Sequence, residues 1–222
     1  MQAELNKAME KVFREKIETL GAGRTDTGVH AKEFFVHFDF DGKIPDKAVH
    51  SLNSILPHDI VIKKIFRVKP KTHARFDASS RTYEYWIYRE KNPFLKERAC
   101  FYPFDLDISK MNKAAKVLFE YTDFSSFSKG RTDTKTNLCK IISASWHKDE
   151  EKLVFTITAD RFLRNMVRAI VGTLMEVGRG WIDLNEFRKI IEGKSRSKAG
   201  ESVAACGLYL VKVKYDWEKL AD

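Results

Sequence analysis

The sequence predicts an α/β protein, α+β in the broad sense, of two domains with a central, largely antiparallel or mixed sheet flanked by helices. Three observations carry that prediction. Helical and two-residue periodicities interleave in both halves of the chain, so helices and strands alternate. A polar, basic stretch at residues 69–80 (Lys-Pro-Lys-Thr-His-Ala-Arg-Phe-Asp-Ala-Ser-Ser) separates the halves and predicts domains at residues 1–76 and 77–222. Strand-like runs at residues 138–147 and 153–158 flank the charged turn Asp149-Glu150-Glu151. That hairpin spacing favours antiparallel pairing over a doubly wound sheet.

Taken in order, Leu5, Ala8, Met9, Val12, Phe13, Ile17 and Leu20 recur at helical spacing and predict a helix through most of the first twenty residues. Residues 21–31 then read Gly-Ala-Gly-Arg-Thr-Asp-Thr-Gly-Val-His-Ala, three glycines around one arginine and one aspartate. Glycine tolerates positive φ and close approach, so this is a tight connection. An Arg-x-Asp held there reads equally as chemistry on a loop and as an ordinary surface turn. Phe34, Val36, Phe38 and Phe40 alternate with Phe35, His37 and Asp39 as in a strand. Pro45 suits a first helical turn, and Ala48, Val49, Leu52 and Ile55 form a short helix stopped before Pro57. Residues 61–68 are β-branched and apolar enough for another strand.

In the second half, Tyr83, Tyr85 and Ile87 share one face of a strand, with Glu84, Trp86 and Tyr88 on the other. Ser109 is placed to cap a helix carrying Met111, Ala114, Ala115, Leu118 and Phe119. A broad apolar helix is expected over about residues 163–177. Three- and four-residue spacing puts Arg161, Arg164 and Arg168 on one face of it. Such a stripe is ordinarily solvated. Arg168, however, is flanked by Met166, Val167, Ala169, Ile170 and Val171, so its base is buried and a carboxylate partner is needed. Asp183 and Glu186 form a capping box for a helix bearing Leu184, Phe187, Ile190 and Ile191, which Gly193 ends. Residues 207–215 supply the last strand.

With 222 residues, 43% hydrophobic and 12% aromatic, the chain can bury a real core. A formal charge of +9 and a pI near 9.3 favour a polyanionic partner, an excess to which solubility alone contributes. Cys100, Cys139 and Cys206 form no disulfide framework or metal spacing, which fits a reducing, cytoplasmic location. His30, His37, His50, His58, His73 and His147 have no ligand spacing beside cysteines, so no metal is assigned. No secretory signal and no apolar run of ~18 residues point to a membrane. Gly23-Arg24-Thr25-Asp26-Thr27 recurs letter for letter at residues 130–134, inside a basic loop with no Gly-Val-His after it. Of the two carboxylates, Asp26 rather than Asp133 is the candidate for chemistry.

Two families share parts of the glycine-rich loop. Asp26-Thr27-Gly28 is similar to the active-site tripeptide of aspartic proteases, which pair two such aspartates. Apolar residues precede that tripeptide and Ser or Ala follows it there, whereas Arg24-Thr25 and Val29-His30 flank it here. The nine-residue string Gly-Arg-Thr-Asp-Thr-Gly-Val-His-Ala resembles the active-site signature of the TruA family of tRNA pseudouridine synthases. His73-Ala74-Arg75-Phe76 and Arg81-Thr82-Tyr83-Glu84-Tyr85 resemble that family's linker and the start of its second domain. Residues 162–168 (Phe-Leu-Arg-Asn-Met-Val-Arg) with Gly172 are similar to its core helix, and Gly207-Leu208-Tyr209-Leu210 to its last strand. These segments fall in family order along nearly the whole chain.

The resemblance implies isomerisation of uridine to pseudouridine in the anticodon stem-loop of tRNA, in a cleft between the domains of a homodimer. The N1–C1′ bond breaks, uracil rotates, and C5 joins C1′. The product is an isomer, so no cofactor is expected. A carboxylate can act as nucleophile at C6 or C1′ or as base at C2′, and each role needs an ionised group beside a cation. The resemblance assigns the carboxylate to Asp26 and the cation to Arg168. It places Tyr83 face-on against the flipped uracil, Arg24 in the gap the base leaves, and Leu208 beneath the base. Arg75, Lys129, Arg131, Arg161 and Arg164 are expected to track RNA phosphates. Family members open with a strand and a Tyr-Asp-Gly…Gly-Trp-Gln segment, whereas this sequence starts where the first helix is under way. The first sheet is therefore expected to be one strand short, with an unpaired edge. A non-catalytic RNA-binding protein of the same descent is the alternative reading.

Overall fold

The computed structural model describes residues 1–129 and 136–222, so Arg131 and Asp133 lie outside the described residues. In chain order the elements are α1 (Gln2–Phe13), β1 (Leu20–Gly21), β2 (His30–Ala31), β3 (Val36–His37), α2 (Ala48–Ile55), β4 (Ala78–Tyr88), β5 (Cys100–Phe101), α3 (Ile108–Val117), β6 (Ile141–Asp149), β7 (Lys152–Ala159), α4 (Met166–Arg179), α5 (Leu184–Glu192), β8 (Leu208–Tyr215) and α6 (Trp217–Leu220). They fall into two compact units. One comprises Met1–Gly23, Phe34–Ser79 and Tyr215–Asp222, and the other Arg24–Glu33 and Ser80–Lys214. A single boundary after residue 76 would leave the Asp26 loop in the first part of the chain. By packing, the loop belongs with the second unit, because β2 pairs with β8.

In the first unit, Leu5, Ala8, Met9 and Phe13 of α1 bury against Ala48 and Leu52 of α2. Phe13 meets Phe38 and Phe40 edge-on, at centroid distances of 5.7 and 4.9 Å. The helix is shorter than its apolar period, because Arg14 turns left-handed at φ 59°. Ile17 still reaches the core from irregular chain, while Leu20 is exposed in β1. The expected strand at residues 34–40 contracts to β3, which pairs antiparallel with β1 through Leu20↔His37 and Gly21↔Val36. Residues 61–68 form no strand. Asn53 takes the place of a partner, accepting from Ile62 N at 2.7 Å and donating to Ile62 O at 2.9 Å, and Val68 makes an isolated bridge with Ala221.

The second unit is built on a six-stranded sheet, in the order β2-β8-β4-β7-β6 with β5 beside β4. The β4–β7 and β6–β7 pairs are antiparallel, whereas β2–β8 and β4–β5 are parallel, so the sheet is mixed. Glu150, at φ 51°, turns the β6–β7 hairpin where the charged tripeptide predicts it. Tyr85, Ile87, Phe155 and Ile157 bury in one core with Met111 of α3, Ile170 and Leu174 of α4, and Phe187 of α5. The sheet is thus flanked by helices.

Two local expectations are corrected. The cap of α3 is Asp107, whose carboxylate accepts from Lys110 N at 3.0 Å, and Ser109 sits inside the first turn. Helix α4 begins later than its apolar run, because Asn165 adopts a left-handed conformation at φ 67° immediately before Met166. Arg161 and Arg164 therefore precede the helix, and only Arg168 of the three lies on it. The Asp183–Glu186 capping box is present at the start of α5.

Candidate active site

The loop that carries Asp26 is shaped by its own backbone. Val29 N donates to Asp26 O at 3.2 Å, closing a four-residue turn whose third residue, Gly28, has φ 85°. A positive φ at that position is what a type II turn requires, and glycine takes it without strain. Strand β2 then anchors the loop beside β8 with the parallel register His30↔Tyr209 and Ala31↔Leu210. His30 stacks on Tyr209 at 4.6 Å, and its Nε2 lies 3.1 Å from Glu97 O.

The loop holds Asp26 against α4. Arg168 Nη1 donates to Asp26 Oδ2 at 2.9 Å across 142 positions of chain. The pair is largely sheltered, with 19% of the Arg168 side chain and 27% of the Asp26 side chain exposed. Arg168 Nε donates to Val203 O at 2.7 Å, so the guanidinium is fixed at two points. On the outer side, Arg164 Nε lies 3.9 Å from Asp26 Oδ1.

Tyr83 stands on β4, edge-on to Phe162 at 5.2 Å. Burial pushes its phenol up to about 12; nearby Arg81 opposes the rise and the Asp26 charge adds to it. Leu208 is buried in the core against which Tyr83, Val29 and Phe162 pack. Arg24 is exposed on the loop, two residues before Asp26. Lys129 is exposed, and its backbone N donates to Arg164 O at 3.1 Å, which ties these two basic positions together. Arg161 is half-buried, with its backbone N on Asp160 Oδ1. Arg75 belongs to the first unit, where its guanidinium lies 5.8 Å from the Phe76 ring.

The structure therefore gathers Asp26, Arg168, Arg164 and Tyr83 within one unit. Sequence reasoning missed Arg164 as a neighbour of Asp26, because it places Arg164 with Arg161 on RNA phosphates and Arg168 alone on the carboxylate. It also missed Val203, whose contribution is a backbone carbonyl and leaves no mark on residue type. Among the described residues no group of three or more His, Cys, Asp or Glu is placed to hold a metal, and no helix is long and apolar enough to cross a membrane.

Known proteins are similar in sequence along almost all of this length. A family model described as tRNA pseudouridine synthase matches residues 114–216. A protein of Bacteroides fragilis named tRNA pseudouridine synthase A is 54% identical over 217 residues, covering 96% of this chain and 86% of that protein. Proteins of the same name from Parabacteroides distasonis and Bacillus licheniformis are 50% and 38% identical, covering 98% and 97% of this chain and 87% and 90% of theirs. With the Asp26 signature loop seated on Arg168, and with identity of this extent over this coverage, the chain belongs to the TruA family of tRNA pseudouridine synthases.

Proposed function

We propose that this protein isomerises uridine to pseudouridine in tRNA, with Asp26 as the essential carboxylate. The observation that carries the reading is the sheltered 2.9 Å pair between Asp26 and Arg168. A carboxylate that acts as nucleophile at C6 or C1′, or as base at C2′, must stay ionised while a base covers it. The Arg168 guanidinium, hydrogen-bonded to one oxygen, fixes the carboxylate beside a positive charge and leaves the other oxygen for the substrate. The N1–C1′ bond breaks, the C5–C1′ bond forms, the C5 proton is lost and N1 gains one, so no cofactor enters the balance.

Tyr83 presents a ring to the flipped uracil, with Leu208 beneath the base and Arg24 filling the space the base vacates. Arg161, Arg164, Lys129, Arg75 and Arg131 contact phosphates, in keeping with the formal charge of +9. The substrate region is the anticodon stem-loop, and the protein works as a cytoplasmic homodimer. The test is incubation with unmodified tRNA transcript followed by pseudouridine mapping. New pseudouridine in the anticodon stem-loop, absent with Asp26→Asn, is expected. Tight tRNA binding with no isomerisation would overturn the reading in favour of a non-catalytic RNA-binding protein.

A further inference from the structure

Arg168 depends on a segment that none of its own contacts to Asp26 would reveal. Arg168 Nε donates to Val203 O at 2.7 Å, and Val203 N donates back to Arg168 O at 3.3 Å. Whatever fixes Val203 therefore fixes the direction of the guanidinium. Residues 199–203 are irregular chain with no strand or helix of their own. Their order comes from side chains outside the segment. Arg196 Nη1 donates to Ala199 O at 3.2 Å and to Gly200 O at 3.0 Å, while its Nη2 donates to Ser202 Oγ at 2.8 Å. Asn165 Nδ2 donates to the same Ser202 Oγ at 2.6 Å, and Gly200 N donates to Thr173 Oγ1 at 3.0 Å. The segment lies directly on α4, for a Cβ at Gly172 would stand 1.9 Å from Glu201 O.

We propose that Arg196 is a positioning residue for the isomerisation, acting through residues 199–203 and the Val203 carbonyl on Arg168, and so on Asp26. The inference rests on the reading of Asp26 and Arg168 as the catalytic pair. Among the described residues Arg196 forms no ion pair, so its cation is not neutralised by a carboxylate. Its planar fork instead bridges two consecutive carbonyls and a hydroxyl, a span that a single ammonium cannot reproduce. A lysine would keep the charge and lose the bridge.

The test is steady-state kinetics on tRNA transcript for Arg196→Met, Arg196→Lys and Ser202→Ala, with Arg196→Met repeated in an Arg168→Lys background. Displacement of the pair should lower kcat for Arg196→Met by about tenfold or more while KM stays within about twofold. Arg196→Lys should not rescue kcat. Ser202→Ala, which removes one oxygen without emptying the core, should show a smaller loss of the same kind. In the Arg168→Lys background the further loss from Arg196→Met should shrink to under about threefold, as expected of residues acting in one chain. A raised KM with unchanged kcat would make Arg196 a phosphate contact and overturn the proposal. Equal losses in both backgrounds, or a melting point that falls while kcat holds, would overturn it too. Asp26→Asn serves as the separate control: full activity in that variant would sink the functional reading itself, whatever Arg196 does.

Discussion

Arg164 approaches the oxygen of Asp26 that Arg168 leaves open: its Nε lies 3.9 Å from Oδ1, while Arg168 Nη1 takes Oδ2 at 2.9 Å. The two arginines are unequal partners. At 3.9 Å Arg164 attracts the carboxylate without hydrogen-bonding it, and 56% of its side chain is in solvent. Exposed pairs of that kind contribute about 0–1 kcal/mol. Arg168→Lys should therefore cost kcat by about tenfold or more, because lysine loses the fork that joins Val203 O to Asp26. Arg164→Met should leave kcat within about threefold and instead weaken tRNA binding, with a salt slope shallower by about one phosphate. Filter binding across a salt series, alongside initial rates, separates the two behaviours.

Asp26→Asn should abolish isomerisation while tRNA binding persists, because binding rests on charges distributed over the surface. Asp133→Asn, which alters the second copy of the pentapeptide, should leave turnover largely intact. Pseudouridine mapping and filter binding on the same samples decide between them. Equal loss in both variants would shift the chemistry to the second copy.

Tyr83 is expected to act as a ring and not as a proton donor in the working range, since burial holds its phenol near 12. Tyr83→Phe should keep kcat within about tenfold, whereas Tyr83→Ala should lose stacking of about 1–3 kcal/mol. Ultraviolet titration should show Tyr83→Phe lacking one phenol that ionises late, above the ordinary value of 10.0. A Phe variant as inactive as Ala would assign chemistry to the hydroxyl.

His37 should make the first unit sensitive to acid. Burial first, and then the facing His73, lower its affinity for a proton below the ordinary 6.5, with Asp39, the Leu20 carbonyl and Asp77 opposing. Its Nδ1 also accepts from Ala74 N at 3.1 Å, a bond that a proton on that nitrogen would eject. A base with a depressed folded pKa contributes its full stability above the unfolded value, and that stability falls as pH drops below 6.5. Melting points should decline from pH 7 toward pH 5, and His37→Gln, though less stable at neutral pH, should lack that part of the decline. Parallel curves for the two proteins would show that His37 titrates without consequence.

Sequence legibility followed the kind of atom involved. Asp26 and Arg168 were readable through the resemblance of their segments to the TruA signature loop and core helix, an assignment that agrees with the need of a guanidinium set among apolar residues for a carboxylate. The hairpin of β6 and β7 and the capping box of α5 were readable because their signals are local. The stripe of Arg161, Arg164 and Arg168 misled, since a left-handed Asn165 delays α4 and no apolar pattern announces that break. Residues 61–68 have strand composition, yet the Asn53 amide holds their backbone, a partner chosen by tertiary position. The ties of Arg196 to residues 199–203 end mainly on carbonyls, which every residue possesses, and so were invisible.

The pairing of β2 with β8 has a consequence for the order in which the protein is made. Asp26 leaves the ribosome early, but its loop is clamped by His30 on Tyr209 and by Lys32 N on Leu210 O, near the other end of the chain. Pairings between such distant residues form late, after the local helices and hairpin. A nascent chain halted before Leu208 would already display most of its basic surface to RNA while its aspartate had no strand to rest on. Chains stalled before Leu208 are therefore expected to bind tRNA without modifying it.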